Sequence, residues 1–257
     1  MKPTDTQAVP TAPETPEGTS ASAGIRPPYA VTIEPERDGI AHLDGIYQTR
    51  FDERRQAGKM AVWAELAAFL GPWIDSSRPV IDVGCDAGYF IRHVTAAERW
   101  ATDVRDVESL LPPTVRFVQA DGLRLASRVP VEHFGTVFMS NYLEHLRDAD
   151  EVLEQLRVAR SILAPGGRLI ILQPNVRLTG GSYWDFIDHR VPLTERSLTE
   201  AVSLAGLKPI HVTTRFLPYS TKGRLPQHPV LVRWYLRLPI VWRIFGKQTL
   251  LVAERPG

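Results

Sequence analysis

Two groups of residues carry the chemistry this sequence can offer. The first is Val80-Ile81-Asp82-Val83-Gly84-Cys85-Asp86-Ala87-Gly88, a short apolar run that meets two glycines. Gly84 and Gly88 tolerate backbone angles that other residues resist and let a bound molecule approach the main chain. The run therefore predicts a buried strand feeding a tight, ligand-facing turn, and an enzyme built around a nucleotide-like cofactor. Asp86 is the oddity, since glycine would be the easier choice there. Asp103, Asp121, Asn141 and Gln173 each end an apolar run. Open α/β sheets bind ligands beyond the carboxyl ends of their strands, so these four polar termini are expected to converge with the glycine turn over one crevice. The second group is Tyr183-Trp184-Asp185-Phe186-Ile187-Asp188-His189-Arg190, whose aromatic walls and polar tips suit a ring-shaped small molecule. His145 lies about one helical turn beyond Asn141, and histidine changes charge near neutral pH, which suits either a general base or a brace. Asp188 beside His189 suits activation of a hydroxyl or, equally, a loop-bracing network. His145, Asp188 and His189 are the candidate catalytic residues. Nothing in their spacing fixes a coordination geometry, so no metal is expected. Cys85 is the only cysteine, which excludes an internal disulfide and a cysteine-rich zinc site and reads as a small buried filler.

The elements that must position these residues follow from periodicity. Met60, Trp63, Leu66, Ala67, Leu70 and Trp73 recur at helical spacing between about Phe51 and Trp73. After the strand Val80 to Val83 and the glycine turn, Tyr89, Phe90, Ile91 and Val94 predict the buried side of a helix. Strands are expected at Arg99 to Asp103, Val115 to Asp121 and His133 to Asn141. Asp148 offers a helix N-cap, and Pro165-Gly166-Gly167 stops that helix before the apolar strand Arg168 to Gln173. Thr194 precedes another helical pattern ending near Gly206, and two strands follow, Leu207 to Phe216 and Thr249 to Ala253. Alternating strands and helices imply an α/β fold with a doubly wound, mostly parallel sheet. The links from Asp103 to Val115 and from Asp121 to Phe134 leave little room for crossover helices. The segment Pro218 to Lys247 is dense in aromatics and punctuated by arginine. It is expected to be a lid insertion, residues 217–247, and two alternatives stay open: an outer layer of the core, or a peripheral membrane contact through 230–245.

The chain has 257 residues, with 30 Lys plus Arg against 29 Asp plus Glu for a formal charge of +1. No basic footprint for general nucleic-acid binding is present, so nucleic acid is not an expected partner. Residues 1–28 are rich in Pro, Thr, Ala, Glu, Gly and Ser and are expected to be a disordered tail. Residues 29–78 read as a helical cap and 79–257 as the main domain. The tail lacks the apolar region of a secretory signal, and no later run suits a spanning helix, so a cytoplasmic enzyme is expected, as a monomer or homodimer.

The pattern from about Arg50 to Arg255 resembles the class I methyltransferases that use S-adenosylmethionine, and bacterial small-molecule enzymes among them. The turn Asp82 to Gly88, including Cys85 and Asp86, resembles their first motif, which implies that its backbone lies against the methionine part of the cofactor. The resemblance implies that Asp103, followed by Val104, accepts from the ribose hydroxyls and that Asp121-Gly122 meets the adenine edge. Ser140-Asn141-Tyr142-Leu143-Glu144-His145-Leu146 is similar to their segment after the fourth strand. Leu163-Ala164-Pro165-Gly166-Gly167-Arg168-Leu169 is similar to their helix-to-strand turn, and Gln173-Pro174-Asn175 follows the fifth strand. What the resemblance implies is a Rossmann-like sheet of seven strands with an antiparallel edge strand, S-adenosyl-L-methionine as cofactor, and a small-molecule acceptor. A hydroxyl of a sugar, glycolipid or secondary metabolite is the leading acceptor class. Tyr142, Tyr183, Trp184, Arg190, Tyr219, Arg224 and His228 are the candidate acceptor contacts. Two rivals stay open: the same scaffold used for carbon or nitrogen methylation or for a cyclisation, and a non-catalytic cofactor binder that regulates a partner. Asp86 departs from the glycine usual in those enzymes.

Overall fold

A computed structural model describes residues 53–219 and 228–257. The tail 1–28, the cap up to residue 52 and Arg224 lie outside the described residues.

Seven strands form one sheet in the order β3-β2-β1-β4-β5-β7-β6. They are β1 Val80–Val83, β2 Arg99–Asp103, β3 Val115–Gln119, β4 Phe134–Ser140, β5 Leu163–Pro174, β6 Lys208–Thr213 and β7 Gln248–Glu254. The first five run parallel, and β7 is antiparallel to both β5 and β6, which gives the antiparallel edge pair. β1 is buried along its whole length, as expected of a central strand covered on both faces. Its register sets Val83 opposite Thr102 on one side and Met139 on the other. The ends of β1, β2 and β4 therefore stand level, which puts the glycine turn, Asp103 and Asn141 on one rim. Main-chain hydrogen bonds continue past the strand ends, from Gly84 N–H to Thr102 O at 2.9 Å and from Asn141 N–H to Leu172 O at 2.9 Å.

Side chains alternate between two cores, as the pleat requires. Ile81, Val83, Val137, Met139, Leu169 and Ile171 pack with the helices that open at Ala149 and Glu195. Val80, Phe138, Ile170, Leu172, Leu250 and Val252 face the other way, against Leu66, Ala67 and Leu70. The six α-helices described are α1 Glu53–Leu70, α2 Ala149–Ile162, α3 Val176–Thr179, α4 Glu195–Leu204, α5 Pro229–Arg237 and α6 Pro239–Phe245. Asp148 caps α2 by accepting from Glu151 N–H at 2.9 Å. Thr194 caps α4 in a reciprocal capping box with Ser197. The short links hold 3₁₀ turns only, Glu108–Leu110 and Gly122–Ser127.

Two expectations need correction. No helix follows Gly88: residues 86–93 form consecutive turns, although Tyr89, Phe90, Ile91 and Val94 are buried as read. The chain has to return to the start of β2 at Arg99, and so short a link is filled by turns. β5 starts at Leu163, where α2 ends, pairs there with Phe134, and resumes pairing at Arg168 after an irregularity. The described part of 217–247 lies against α1. Arg233 makes two hydrogen bonds to Glu65, at 2.6 and 2.9 Å, and Trp242 sets its edge on Phe69 and Phe216. Tyr235 Oη donates to Phe216 O at 2.5 Å. Pro239 separates α5 from α6, and Trp234, Ile240 and Ile244 are exposed at 58%, 63% and 69%. Among the described residues no helix is long and apolar enough to cross a membrane.

Candidate active site

The turn after β1 is held by the backbone of three left-handed residues, Gly84 at φ +71°, Asp86 at +48° and Gly88 at +68°. The two glycines do different jobs. A Cβ on Gly84 would stand 2.6 Å from Tyr142 Cδ2, so this glycine lets a cavity-lining ring approach the turn. A Cβ on Gly88 would collide with Leu111, so that glycine serves packing, away from the ligand. Asp86 keeps its side chain because it has a partner: its carboxylate lies 3.0 Å from Arg105 Nη2. Asp103 completes the network, accepting from Asp86 N–H at 3.1 Å, from Arg105 N–H at 3.0 Å and from Arg105 Nε at 3.1 Å. A non-glycine residue in the left-handed region costs about 1–2 kcal/mol. The ion pair with Arg105 and the hydrogen bond that Asp86 N–H donates to Asp103 offset that cost.

One cavity opens beside this turn. Gly84, Asp103, Val104 and Gly122 line one part of it, and Asn141, Tyr142, His145 and Asp188 another. Tyr142 Oη donates to Gln155 Oε1 at 2.9 Å, and a Cβ on Gly122 would fill the space that hydroxyl occupies. Bare backbone at Gly84 and Gly122, with the acid Asp103 at the end of β2, is a cradle that fits a nucleoside cofactor: main chain within reach of a flat ring, and a carboxylate to accept from ribose hydroxyls.

At the other end, His145 Nδ1 lies 3.2 Å from Asp188 O and 3.3 Å from Asp188 Oδ2. An N–H at Nδ1 bonded to Asp188 leaves the lone pair on Nε2, which lies 4.0 Å from Glu144 Oε1. The His145 and His189 rings meet edge to face at 5.1 Å, and Phe186 stacks on His189 at 4.9 Å. Tyr219 approaches Phe186 at 6.0 Å and His189 at 6.4 Å. Glu144 is fully buried, and burial pushes its carboxyl above the usual carboxylate range. Glu144, His145 and His189 each bring one ligating atom within 4.8 Å of the others, a juxtaposition that sequence spacing alone did not reveal.

Several candidate residues do other work. Asp82 is buried beneath the turn and accepts from Ile91 N–H. Burial, with Asp103 and Asp86 nearby, pushes its carboxyl up to about 8. Cys85 is buried in the core that faces α1, and burial pushes its thiol up, out of the nucleophile range. Asp121 caps the following 3₁₀ turn by accepting from Leu123 N–H at 3.0 Å, while its neighbours Ala120 and Gly122 line the cavity. Tyr183 is buried and donates to Val191 O, so its hydroxyl braces the loop. Trp184 is exposed and set edge-on to Tyr183. Arg190 is exposed too, and its backbone N–H donates to Glu144 O at 2.8 Å. His228 is exposed ahead of α5, and none of the described residues of 217–247 lines the cavity. Gln173, expected at the crevice, is buried beside Glu144 and does not line the cavity, while Arg105 and Glu144 are the site residues that sequence reasoning undervalued. The signals were present: an arginine two residues after the β2 acid, and an acid directly preceding His145.

Comparison with known proteins agrees with this geometry. The family described as "Methyltransferase domain" matches residues 51–212. No curated protein matches the sequence. Among solved structures, an S-adenosylmethionine-dependent methyltransferase from Archaeoglobus fulgidus superposes with a TM-score of 0.60 at 16% identity, over 81% of this chain and 99% of that one. A putative methyltransferase from Bacillus halodurans gives 0.55 at 14% identity, covering 75% and 99%. The N-methyltransferase NodS from Bradyrhizobium japonicum, in complex with S-adenosyl-L-homocysteine, gives 0.55 at 12% identity, covering 83% and 98%. The structural likenesses speak for the fold, and the family match, which spans more than half the sequence, speaks for membership. The chain belongs to the methyltransferase-domain family and is a class I methyltransferase that uses S-adenosylmethionine.

Proposed function

We propose that this enzyme methylates a hydroxyl of a small polyhydroxylated molecule, a sugar, glycolipid or other secondary metabolite. The observation that carries the reading is the placement of His145 and Asp188 on the wall of the cavity that Gly84, Asp103 and Gly122 also line. When bound, the cofactor supplies an electrophilic methyl carbon on a sulfonium that departs as a neutral thioether. The chain's own residues do the rest. Asp103 accepts from the ribose hydroxyls, which share its oxygens with Arg105 or take that residue's place. Gly84 and Gly122 seat the Tyr142 ring and line the cavity beside Asp103, where the cofactor would lie. A hydroxyl must lose its proton as its oxygen is methylated, and the paired His145 and Asp188 are the groups on hand to receive it. Holding both reactants in one cavity supplies much of the rate by positioning. Tyr142 brings an aromatic ring to the same cavity wall, which suits a flat or ring-shaped acceptor.

A lipid-linked acceptor fits the surface of α5 and α6. Their exposed Trp234, Ile240 and Ile244 share the segment with Arg237, Arg243 and Lys247, while Arg233 is paired with Glu65 and no acid lies from His228 to Lys247. That face suits an anionic lipid surface.

The direct experiment uses methyl-labelled cofactor and a panel of sugars, glycolipids, amines and carbon acids. Label on product oxygen supports the reading. Label on nitrogen or carbon transfers it to the rival chemistry, and cofactor binding without label on any acceptor overturns it. His145→Ala should lower kcat by about 100-fold or more while leaving affinity for S-adenosyl-L-homocysteine unchanged.

A further inference from the structure

The Glu144 carboxylate is 0% exposed, and neither of its oxygens makes a well-formed hydrogen bond. The buried Gln173 amide beside it is close enough to act on the carboxyl, but neither of its polar atoms reaches full hydrogen-bond geometry. Polar groups buried this way carry a desolvation cost that a partner would remove. Around Glu144 stand two imidazoles, and the ligating atoms of Glu144, His145 and His189 all lie within 4.8 Å of one another. His145 is already set as a metal-binding histidine is: Nδ1 faces the backbone oxygen and carboxylate of Asp188, at 3.2 and 3.3 Å, and Nε2 faces Glu144. A carboxylate on the far nitrogen fixes the tautomer and raises the basicity of the ligating one.

We propose that Glu144, His145 and His189 bind one divalent transition ion, with Zn2+ the best match, and that this ion holds the acceptor hydroxyl at the cavity. Two nitrogens and one carboxylate suit Zn2+ or its first-row neighbours, whereas Mg2+ and Ca2+ favour all-oxygen shells. Three protein ligands leave a coordination position for substrate, and His145 brings the cluster to the cavity wall. A hydroxyl bound there loses its proton more readily. The O–H bond breaks, the proton leaves to solvent water at the open cavity, and the electron pair on the oxygen forms the O–CH3 bond as the methyl–sulfur bond breaks and its pair departs on the thioether sulfur. This deepens the reading of the cavity as a hydroxyl-methylating site and rests on it for the acceptor. It also makes His145 Nε2 a ligand in place of a base, with Asp188 holding the ring by its Nδ1–H.

The test is metal binding by the full chain, stripped with a chelator and titrated calorimetrically with ZnCl2 and, separately, MgCl2. The expected result is saturable uptake of one Zn2+ per chain and no Mg2+ uptake. Glu144→Gln, His145→Ala and His189→Ala should each weaken Zn2+ by more than about tenfold, and Asp188→Asn by about 10- to 100-fold. His93→Ala, at an exposed histidine elsewhere, should change nothing. Circular dichroism identifies any variant that fails to fold; should buried Glu144→Gln do so, His145→Ala, at a half-buried position, decides. A Co2+-loaded chain should show ligand-field absorption that His145→Ala abolishes. Wild-type protein that takes up no ion, or variants that keep wild-type affinity, overturn the proposal. These outcomes are independent of methyl transfer: stripped enzyme that still methylates a hydroxyl removes the ion and spares the function. Stoichiometric Zn2+ without product on any acceptor does the reverse.

Discussion

Gly84→Ala tests whether the turn after β1 is the cofactor cradle, and the structure sets its size. At φ +71° an alanine pays about 1–2 kcal/mol for the left-handed backbone. Its Cβ would also stand 2.6 Å from Tyr142 Cδ2, against about 3.5–4.0 Å for relaxed carbon contacts, so the ring must retreat by about 1 Å. Tyr142 is anchored by its 2.9 Å hydrogen bond to Gln155, and giving that up costs about 1 kcal/mol more. The sum, about 2–3 kcal/mol, lowers the melting temperature by about 5–10 °C in a domain of this size. A cofactor resting on the same backbone and ring should lose at least about tenfold in affinity, measured by calorimetry with S-adenosyl-L-homocysteine. In a Tyr142→Ala background the collision vanishes and only the backbone cost remains, so the double-mutant cycle should return a coupling of about 1 kcal/mol. Gly84→Ala protein that melts lower yet binds with wild-type affinity would refute the cradle, because the strain would then be confined to a turn the ligand does not touch.

Other outcomes follow from the same network. Asp103→Ala should weaken cofactor binding by about 1–3 kcal/mol, since it removes the acceptor for two hydroxyls; unchanged calorimetric affinity would take Asp103 out of the site. Asp82→Asn should change how stability depends on pH. The folded protein holds the Asp82 proton up to about pH 8, while an unfolded carboxyl releases it near 4. This contribution is therefore fully present below about pH 4 and is lost as pH rises toward 8, so the urea midpoint of the variant should gain on wild type across that window. Parallel midpoints would show that Asp82 ionises freely. Ile240→Glu with Ile244→Glu should abolish co-sedimentation with phosphatidylserine-containing vesicles while leaving the melting temperature within a few degrees, as both side chains are exposed. Wild-type protein that ignores anionic vesicles would reject the lipid surface, and a dimer dissociated by the same substitutions would assign the face to a second copy.

The division between what was legible and what was not follows the range of the interactions. β1, β2 and the cap at Asp148 are local in origin: an apolar run with a turn, or one side chain closing on a backbone three residues away. They read directly from sequence, as did the convergence of Gly84, Asp103 and Asn141, which parallel register enforces. The helix expected after Gly88 did not form, because periodicity reports burial of Tyr89, Phe90 and Ile91 without reporting how few residues separate the turn from β2. Roles that depend on distant partners were the least visible. Asp86 looked anomalous until Arg105, nineteen positions on, supplied its counter-charge. Asp121, read as a cofactor contact, also has a local role that the sequence did not show, accepting from Leu123 N–H.

The second cluster carries this logic furthest. Glu144 and His145 are neighbours in sequence, but His189 reaches them only because the main chain of residues 190 and 191 docks on Glu144 O, at 2.8 and 3.2 Å. Those two backbone hydrogen bonds seat the loop, and Tyr183, bonded to Val191 O, pins its other side. The loop thus brings Asp188 to His145 and His189 to Glu144 in a single placement. A catalytic pair alone would need only the Asp188 contact. Burying a carboxylate between two imidazoles adds a cost that a bare base does not require, and a bound cation is the simplest partner to offset it. The metal titration and the His145→Ala kinetics therefore test separate consequences of one loop conformation.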